Sequence, residues 1–190
     1  MREKIYVFGF DNTLVNSESI FVEAYNKVFH INITMEHWYE KFHNVKDIQT
    51  EFRMIEEEYH ITFTDEKLKE TGPIVVDLLS KKKPNANIYK LVKENEKTCH
   101  FLTGSPLEIC NLYFEKFGIN IEENRMHCGI YNGSGEKEQL LENLQKNYDV
   151  IYIDDDGELI STAKNIVTKA ILVKQQYNKK YWNKSETTEC

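Results

Sequence analysis

Three short stretches and one lysine carry the side chains with which this sequence can do chemistry. Gly9-Phe10-Asp11-Asn12-Thr13 follows one apolar run, Thr103-Gly104-Ser105 a second and Asp154-Asp155-Asp156 a third; Lys137 opens a periodic segment between the last two. Carboxylates, hydroxyls, a glycine amide and one ammonium together suit a divalent cation and a phosphate. A hard cation such as Mg²⁺ takes carboxylate oxygens and water. A phosphate takes hydroxyls, backbone N–H groups and a lysine charge. Each stretch also has a plainer reading. Ser105-Pro106-Leu107-Glu108 has the residues of a capping box, with Ser105 as N-cap and Pro106 at the first helical position, which is a well-made helix start and nothing more. The aspartate triplet reads equally as a solvated loop or as the N-cap of a helix opening at Glu158.

These groups meet only if the elements before them end at one edge. Apolar, β-branched runs at 4–10, 98–103, 126–130, 150–154 and 170–174 read as buried strands. Helical periods fall at 88–95, 106–117 (closed by Gly118 as a C-cap), 136–147 and 158–165. Strands alternating with helices predict an α/β fold: a Rossmann-like parallel five-stranded sheet with helices on both faces. In such sheets the site lies beyond the carboxyl ends of the strands, where the three stretches stand. Between the first two strands the pattern is helical throughout. Ile20, Phe21, Ala24, Tyr25 and Val28 form one stripe, and Trp38, Tyr39 and Phe42 another. Ile48, Phe52, Ile55 and Tyr59 form a third, and Leu68, Val75, Val76 and Leu79 a fourth. Packing between helices accounts for these stripes. Gly72-Pro73 is expected to break or restart the last helix. In the polar tail 175–190, Tyr177, Tyr181 and Trp182 are the expected anchors.

The four stretches, in this order, resemble the motifs of the haloacid dehalogenase-like (HAD) phosphatases with a helical type-1 cap. V-F-G-F-D-N-T-L-V-N-S-E is close, over 10–18, to the β-phosphoglucomutase and phosphoglycolate phosphatase subgroup. H-F-L-T-G, G-E-K-E and I-Y-I-D-D-D supply the other three motifs, and the resemblance spans 5–173. It implies a core of 1–15 and 84–190, with 16–83 as a small all-helical cap inserted after the first strand. It implies a hydrolase whose nucleophile stands at position 9 and whose general acid/base is Asp11. Thr103 and Lys137 would stabilise charge on the phosphoryl oxygens, with Thr13 and Gly104 also at the substrate. Mg²⁺ would lie among Asp11 (through its carbonyl), Asp155 as first choice, and Asp154 and Asp156 behind it.

Two departures bear on that expectation. The nucleophile position is Gly9, so no carboxylate is there to form an aspartyl-phosphate. Asp154 stands where the family often has glycine, before Asp155, and Leu159 replaces a second aspartate. Either the chain is an enzyme disabled by one recent change, or it is a natural pseudo-phosphatase that binds without turnover as a regulatory protein. Persistence of the other motif residues favours the recent change. A strand end facing an open cleft is expected to have room for an aspartate at position 9. After the last strand, L-V-K-Q-Q-Y-N and then Trp182 resemble the 5'(3')-deoxyribonucleotidase-like branch. A nucleotide monophosphate is therefore the first substrate expected, and a sugar phosphate, for a phosphatase or mutase, the second.

Composition narrows the partners. The chain of 190 residues carries a net charge of -7 and is 41% hydrophobic. An acidic chain argues against binding nucleic-acid polymers or membrane surfaces. No apolar run reaches the roughly 20 residues of a spanning helix, and the apolar stretch 5–10 is too short for a signal peptide, so a cytoplasmic protein is expected. Cys99, Cys110, Cys128 and Cys190 lack metal-knuckle spacing, and the first three read as buried thiols. A receiver-like signalling domain would need its acidic pair near the first strand, and here the triplet follows the fourth.

Overall fold

A computed structural model describes residues 2–43, 45, 47–184 and 186–188, the backbone alone for 184 and 186–188; Cys190 lies outside the described residues. The strands are β1 (Glu3–Phe8), β2 (Cys99–Leu102), β3 (Met126–His127), β4 (Tyr148–Asp154), β5 (Lys169–Val173) and β6 (Glu186–Thr188). All pairs are parallel, in the order β3-β2-β1-β4-β5-β6. The expected five-stranded sheet is thus present, and the tail adds a short sixth strand at its edge. Strand order reverses at β1, whose neighbours are β2 and β4, so the crevice at the switch point opens beyond the ends of β1 and β4.

Alternation along β1 explains why both faces are covered. Ile5 and Val7 enter one apolar cluster with Leu141, Leu159 and Ile160; Phe8 enters the other with Ile88, Phe101, Tyr113 and Phe114. Helices α7 (Glu136–Asn147) and α8 (Gly157–Ala163) cover the first face. Helices α5 (Ala86–Glu94) and α6 (Leu107–Phe117) cover the second. Beyond β1, Phe10 is buried edge-on against Tyr113 and Phe114. Burying a Phe contributes roughly 1.5–3 kcal/mol, and this one pins the turn that carries Asp11.

Helices α1 (Glu18–Phe29), α2 (Met35–Lys41), α3 (Ile48–Tyr59) and α4 (Asp65–Lys81) fill the interval between β1 and α5. Val22, Tyr25, Ile33, Trp38, Phe42 and Ile55 form a cluster of their own there, while Ile20, Ala24, Val75 and Leu79 join the sheet-side cluster. Three local expectations are corrected. Helix α4 runs unbroken through Gly72-Pro73. Proline costs one helical hydrogen bond, but Val75 and Leu79, buried on the core, hold the second half in line. Strand β3 ends at His127 because Gly129, at φ 74, turns its N–H to the carbonyl of Ser105 at 3.1 Å. Helix α6 starts one residue later than expected, with Pro106 as an N-cap that makes no side-chain bond. No helix among the described residues is long and apolar enough to cross a membrane.

Candidate functional site

The turn after β1 presents Asp11 to the end of β2. Its carboxylate accepts the hydroxyls of Thr103 at 2.8 Å, Ser105 at 2.8 and 2.9 Å, and Ser17 at 2.5 Å. Ser105 therefore serves Asp11 instead of capping α6, and Glu108 closes no capping box. Thr103 Oγ1 also accepts the Ser105 N–H at 3.0 Å, which fixes its rotamer. Asn12, at φ 51, donates to Glu18 at 2.7 Å, and its Oδ1 is buried without a partner.

Beside it, the end of β4 carries the three aspartates, all buried. Asp155 accepts the Thr13 hydroxyl at 2.8 Å on one oxygen and the Tyr177 hydroxyl on the other, and its N–H returns to Thr13 Oγ1 at 3.0 Å. Burial, with the Asp154 carboxylate behind it, pushes the Asp155 carboxyl well up from the ordinary range. Asp156 caps α8, accepting the N–H groups of Glu158 and Leu159 at 2.8 and 3.0 Å. Asp154 accepts the Tyr152 hydroxyl at 2.5 Å and the Asp156 N–H at 3.0 Å. Its carboxylate fills the space next to Gly9. A Cβ at position 9 would stand 2.7 Å from Asp154 Oδ2 and 2.9 Å from Thr13 Oγ1. The expected room for an aspartate at position 9 is therefore absent.

These groups form the floor of a cavity of about 300 Å³. Gly9, Asp11, Thr103, Gly104, Lys137, Asp154 and Asp155 all line it; Thr13 and Asp156 are not on its wall. Lys137 is buried at 5% exposure. The roof comes from α1 to α3 and from the segment before α7: Phe21, Tyr25, Trp38, Glu51 and Tyr131, with Asn132. Trp38 Nε1 and Asn132 Oδ1 are buried with no hydrogen-bond partner. Burial raises the Glu51 carboxyl to about 8, against the opposing hydroxyl of Tyr25. Roof and floor are joined on one side by His43, which bonds Glu18 at 2.7 Å and packs on Tyr177; Tyr177 in turn stacks on Tyr39 with centroids 4.1 Å apart. Tyr177, Tyr181 and Trp182 do anchor the tail, yet the hydroxyl of Tyr177 on Asp155 had no sequence signal. Ser17 lies inside the first motif, six residues after Asp11, where spacing alone did not assign it a role.

Among the described residues, no three Asp, Glu, His or Cys side chains are grouped to hold a metal ion. Asp11 and Asp155 take hydroxyls on both oxygens, Asp154 takes a hydroxyl and an N–H, and the Asp11 carbonyl takes the Thr13 N–H at 2.7 Å. The arrangement is a closed hydrogen-bonded cluster. The Mg²⁺ expected at Asp11, Asp154, Asp155 and Asp156 finds no prepared ligand set in it.

No protein-family model matches the sequence, and no curated protein matches it. Solved structures do. CbbY from Rhodobacter sphaeroides, in complex with phosphate, has a TM-score of 0.74 at 15% identity, over 99% of this chain and 94% of that one. A mutant of the same protein in complex with xylulose-1,5-bisphosphate has a TM-score of 0.72 at 14% identity, over 99% and 94%. A haloacid dehalogenase-like protein of unknown function from Agrobacterium tumefaciens has a TM-score of 0.64 at 15% identity, over 100% and 93%. The fold is that of the haloacid dehalogenase-like proteins, as the motifs led one to expect.

Proposed function

We propose that this chain, folded as a haloacid dehalogenase-like protein, holds a small phosphomonoester between its sheet ends and its helical insert and does not turn it over. The carrying observation is the cavity itself, a polar floor with one buried lysine beneath an aromatic roof. We assign the phosphate to Lys137 and the Gly104 N–H, with the Thr103 hydroxyl turning to it from Asp11, because an ammonium, an N–H and a hydroxyl are donors that its oxygens take. Asp11 is held at the cavity by three hydroxyls that its carboxylate accepts. With glycine at position 9, no carboxylate from β1 can attack phosphorus, so the covalent half of a phosphatase reaction is missing.

A nucleoside monophosphate suits the roof best. Phe21, Tyr25, Trp38 and Tyr131 line the roof with flat apolar faces on which a heterocycle can stack. A sugar phosphate is the second reading, favoured by the xylulose-1,5-bisphosphate bound to CbbY. Calorimetric titration with nucleoside monophosphates, sugar phosphates and inorganic phosphate separates the two. The expected result is tightest binding of a nucleoside monophosphate, weakened about tenfold or more by Lys137→Met for every ligand and by Tyr131→Leu, which removes a stacking face, for nucleotides alone. Binding of no phosphate compound by the folded chain overturns the reading.

A further inference from the structure

Gly9 has no backbone reason to be glycine. The left-handed glycines of the chain are Gly118, Gly129, Gly133 and Gly135, and Gly9 is not among them. A glycine at a strand end ordinarily costs stability relative to alanine. What position 9 lacks is space. It continues β1 beside the end of β4, where Phe8 pairs with Ile153 and the Gly9 N–H bonds the Ile153 carbonyl at 2.9 Å. Across that ladder stands Asp154, 3% exposed. A Cβ on residue 9 would lie 2.7 Å from its Oδ2 and 2.9 Å from its Cγ, with Thr13 Oγ1 at 2.9 Å on another side, closer than real Cβ atoms approach. Asp154 cannot swing aside freely, because the Tyr152 hydroxyl and the Asp156 N–H hold its two oxygens.

We infer that Gly9 and Asp154 are one coupled unit, in which the carboxylate of Asp154, positioned by Tyr152, occupies the room of a residue-9 side chain across the β1–β4 ladder. With Asp154 placed as it is here, any side chain at position 9 meets the same overlap, so a change at position 9 alone does not account for the fit. Restoring a side chain at position 9 alone therefore damages the molecule. The coupling rests on geometry; only its catalytic consequence rests on the phosphomonoester reading above.

A double-mutant cycle in thermal unfolding tests it, with wild type, Gly9→Ala, Asp154→Gly and the double variant. Gly9→Ala adds one methyl, while Asp154→Gly removes the carboxylate that Tyr152 and the Asp156 N–H bond, so each change is also measured alone. Gly9→Ala should lower the melting temperature by about 4 °C or more in the wild-type background. In the Asp154→Gly background the same change should cost clearly less, because only the 2.9 Å approach to Thr13 Oγ1 remains. A loss clearly smaller in the Asp154→Gly background supports the unit, and an equal or larger loss there overturns it. If Gly9→Ala fails to fold, recovery of folding in the double variant gives the same answer, and failure of both overturns the unit.

Hydrolysis is then assayed with an aryl phosphate in Gly9→Asp and in Gly9→Asp with Asp154→Gly. In the latter, a carboxylate oxygen on β1 can bond to phosphorus as the ester oxygen departs with a proton from Asp11. Water, whose proton returns to Asp11, then cleaves the acyl phosphate to carboxylate and phosphate. Turnover by the pair of changes, with background rates from Gly9→Asp alone, is expected. Coupling in stability with no turnover by any variant leaves the unit standing and counts against the phosphatase descent.

Discussion

The Asp11 and Asp155 carboxylates illustrate how residue type and residue use diverge. Spacing alone brought Asp11, Thr103, Lys137 and Asp155 to one edge, and the structure gathers them around one cavity. What spacing did not reveal is who bonds whom. Ser17 and Ser105 turn to Asp11, and Tyr177, 22 residues further along the chain, turns to Asp155. Such partners are brought together by tertiary packing and leave no periodic trace. The steric claim of Asp154 on position 9 was equally hidden, because a sequence gives the identities of two strand ends but not the distance between them. Tyr177→Phe tests the residue-scale account. It keeps the ring that stacks on Tyr39 and removes the hydroxyl from the buried Asp155 carboxyl. An unpaired buried acceptor costs about 1–3 kcal/mol, so the urea midpoint should fall correspondingly with an unchanged m-value. A midpoint equal to the wild type's would mean that the hydroxyl contributes nothing to holding the tail.

Among the elements, the legible features were those written in local chemistry. The five main strands, the helices of both layers and the Gly118 cap at φ 62 were readable from apolar period and glycine. The illegible ones depended on neighbours: α4 continues through Pro73 because its far half is buried, and β3 stops early because Gly129 bonds Ser105. The triplet shows both at once, since Asp156 proves to be the N-cap that its position before Glu158 allowed, while Asp154 and Asp155 face the cavity. Asp156→Ala orphans two N–H groups at the start of α8 and should cost about 1 kcal/mol in chemical denaturation. Asp156→Asn keeps the accepting oxygen and should recover most of that loss. A loss as large for Asn as for Ala would mean that the charge, and not the cap, is what α8 uses.

At the scale of the molecule, the insert, the first-motif loop and the tail meet at His43. Burial opposes its charge, but the bond to Glu18 and the nearby Asp155 and Asp156 outweigh it and raise His43 to about 9. Below its ordinary value of 6.5 the folded and unfolded chains are both protonated there, and the stabilisation is complete. From 6.5 to about 9 the unfolded chain sheds its proton first, so this stabilisation is lost as pH rises. Glu51 acts in the same direction over a lower window. Burial holds it at about 8, so between its ordinary 4.5 and 8 the unfolded chain ionises first and the folded state loses ground. On the acid side, burial lowers His100 to about 4, with His127 and Arg125 adding to it; its contribution is lost as pH falls from 6.5 through 4. Thermal unfolding at constant ionic strength should therefore show a melting temperature that is highest on the acid side of neutrality and declines steadily to pH 9. His43→Gln should lower the melting temperature by several degrees at pH 6 and little at pH 9.5, because only the charged imidazole grips Glu18. Glu51→Gln should leave the value at pH 4.5 nearly unchanged and raise it at pH 8. If the His43→Gln curve runs parallel to the wild type's between pH 6.5 and 9, the charge on His43 is not what fastens the insert to the core, and the stacking of Tyr39 on Tyr177 must do so alone.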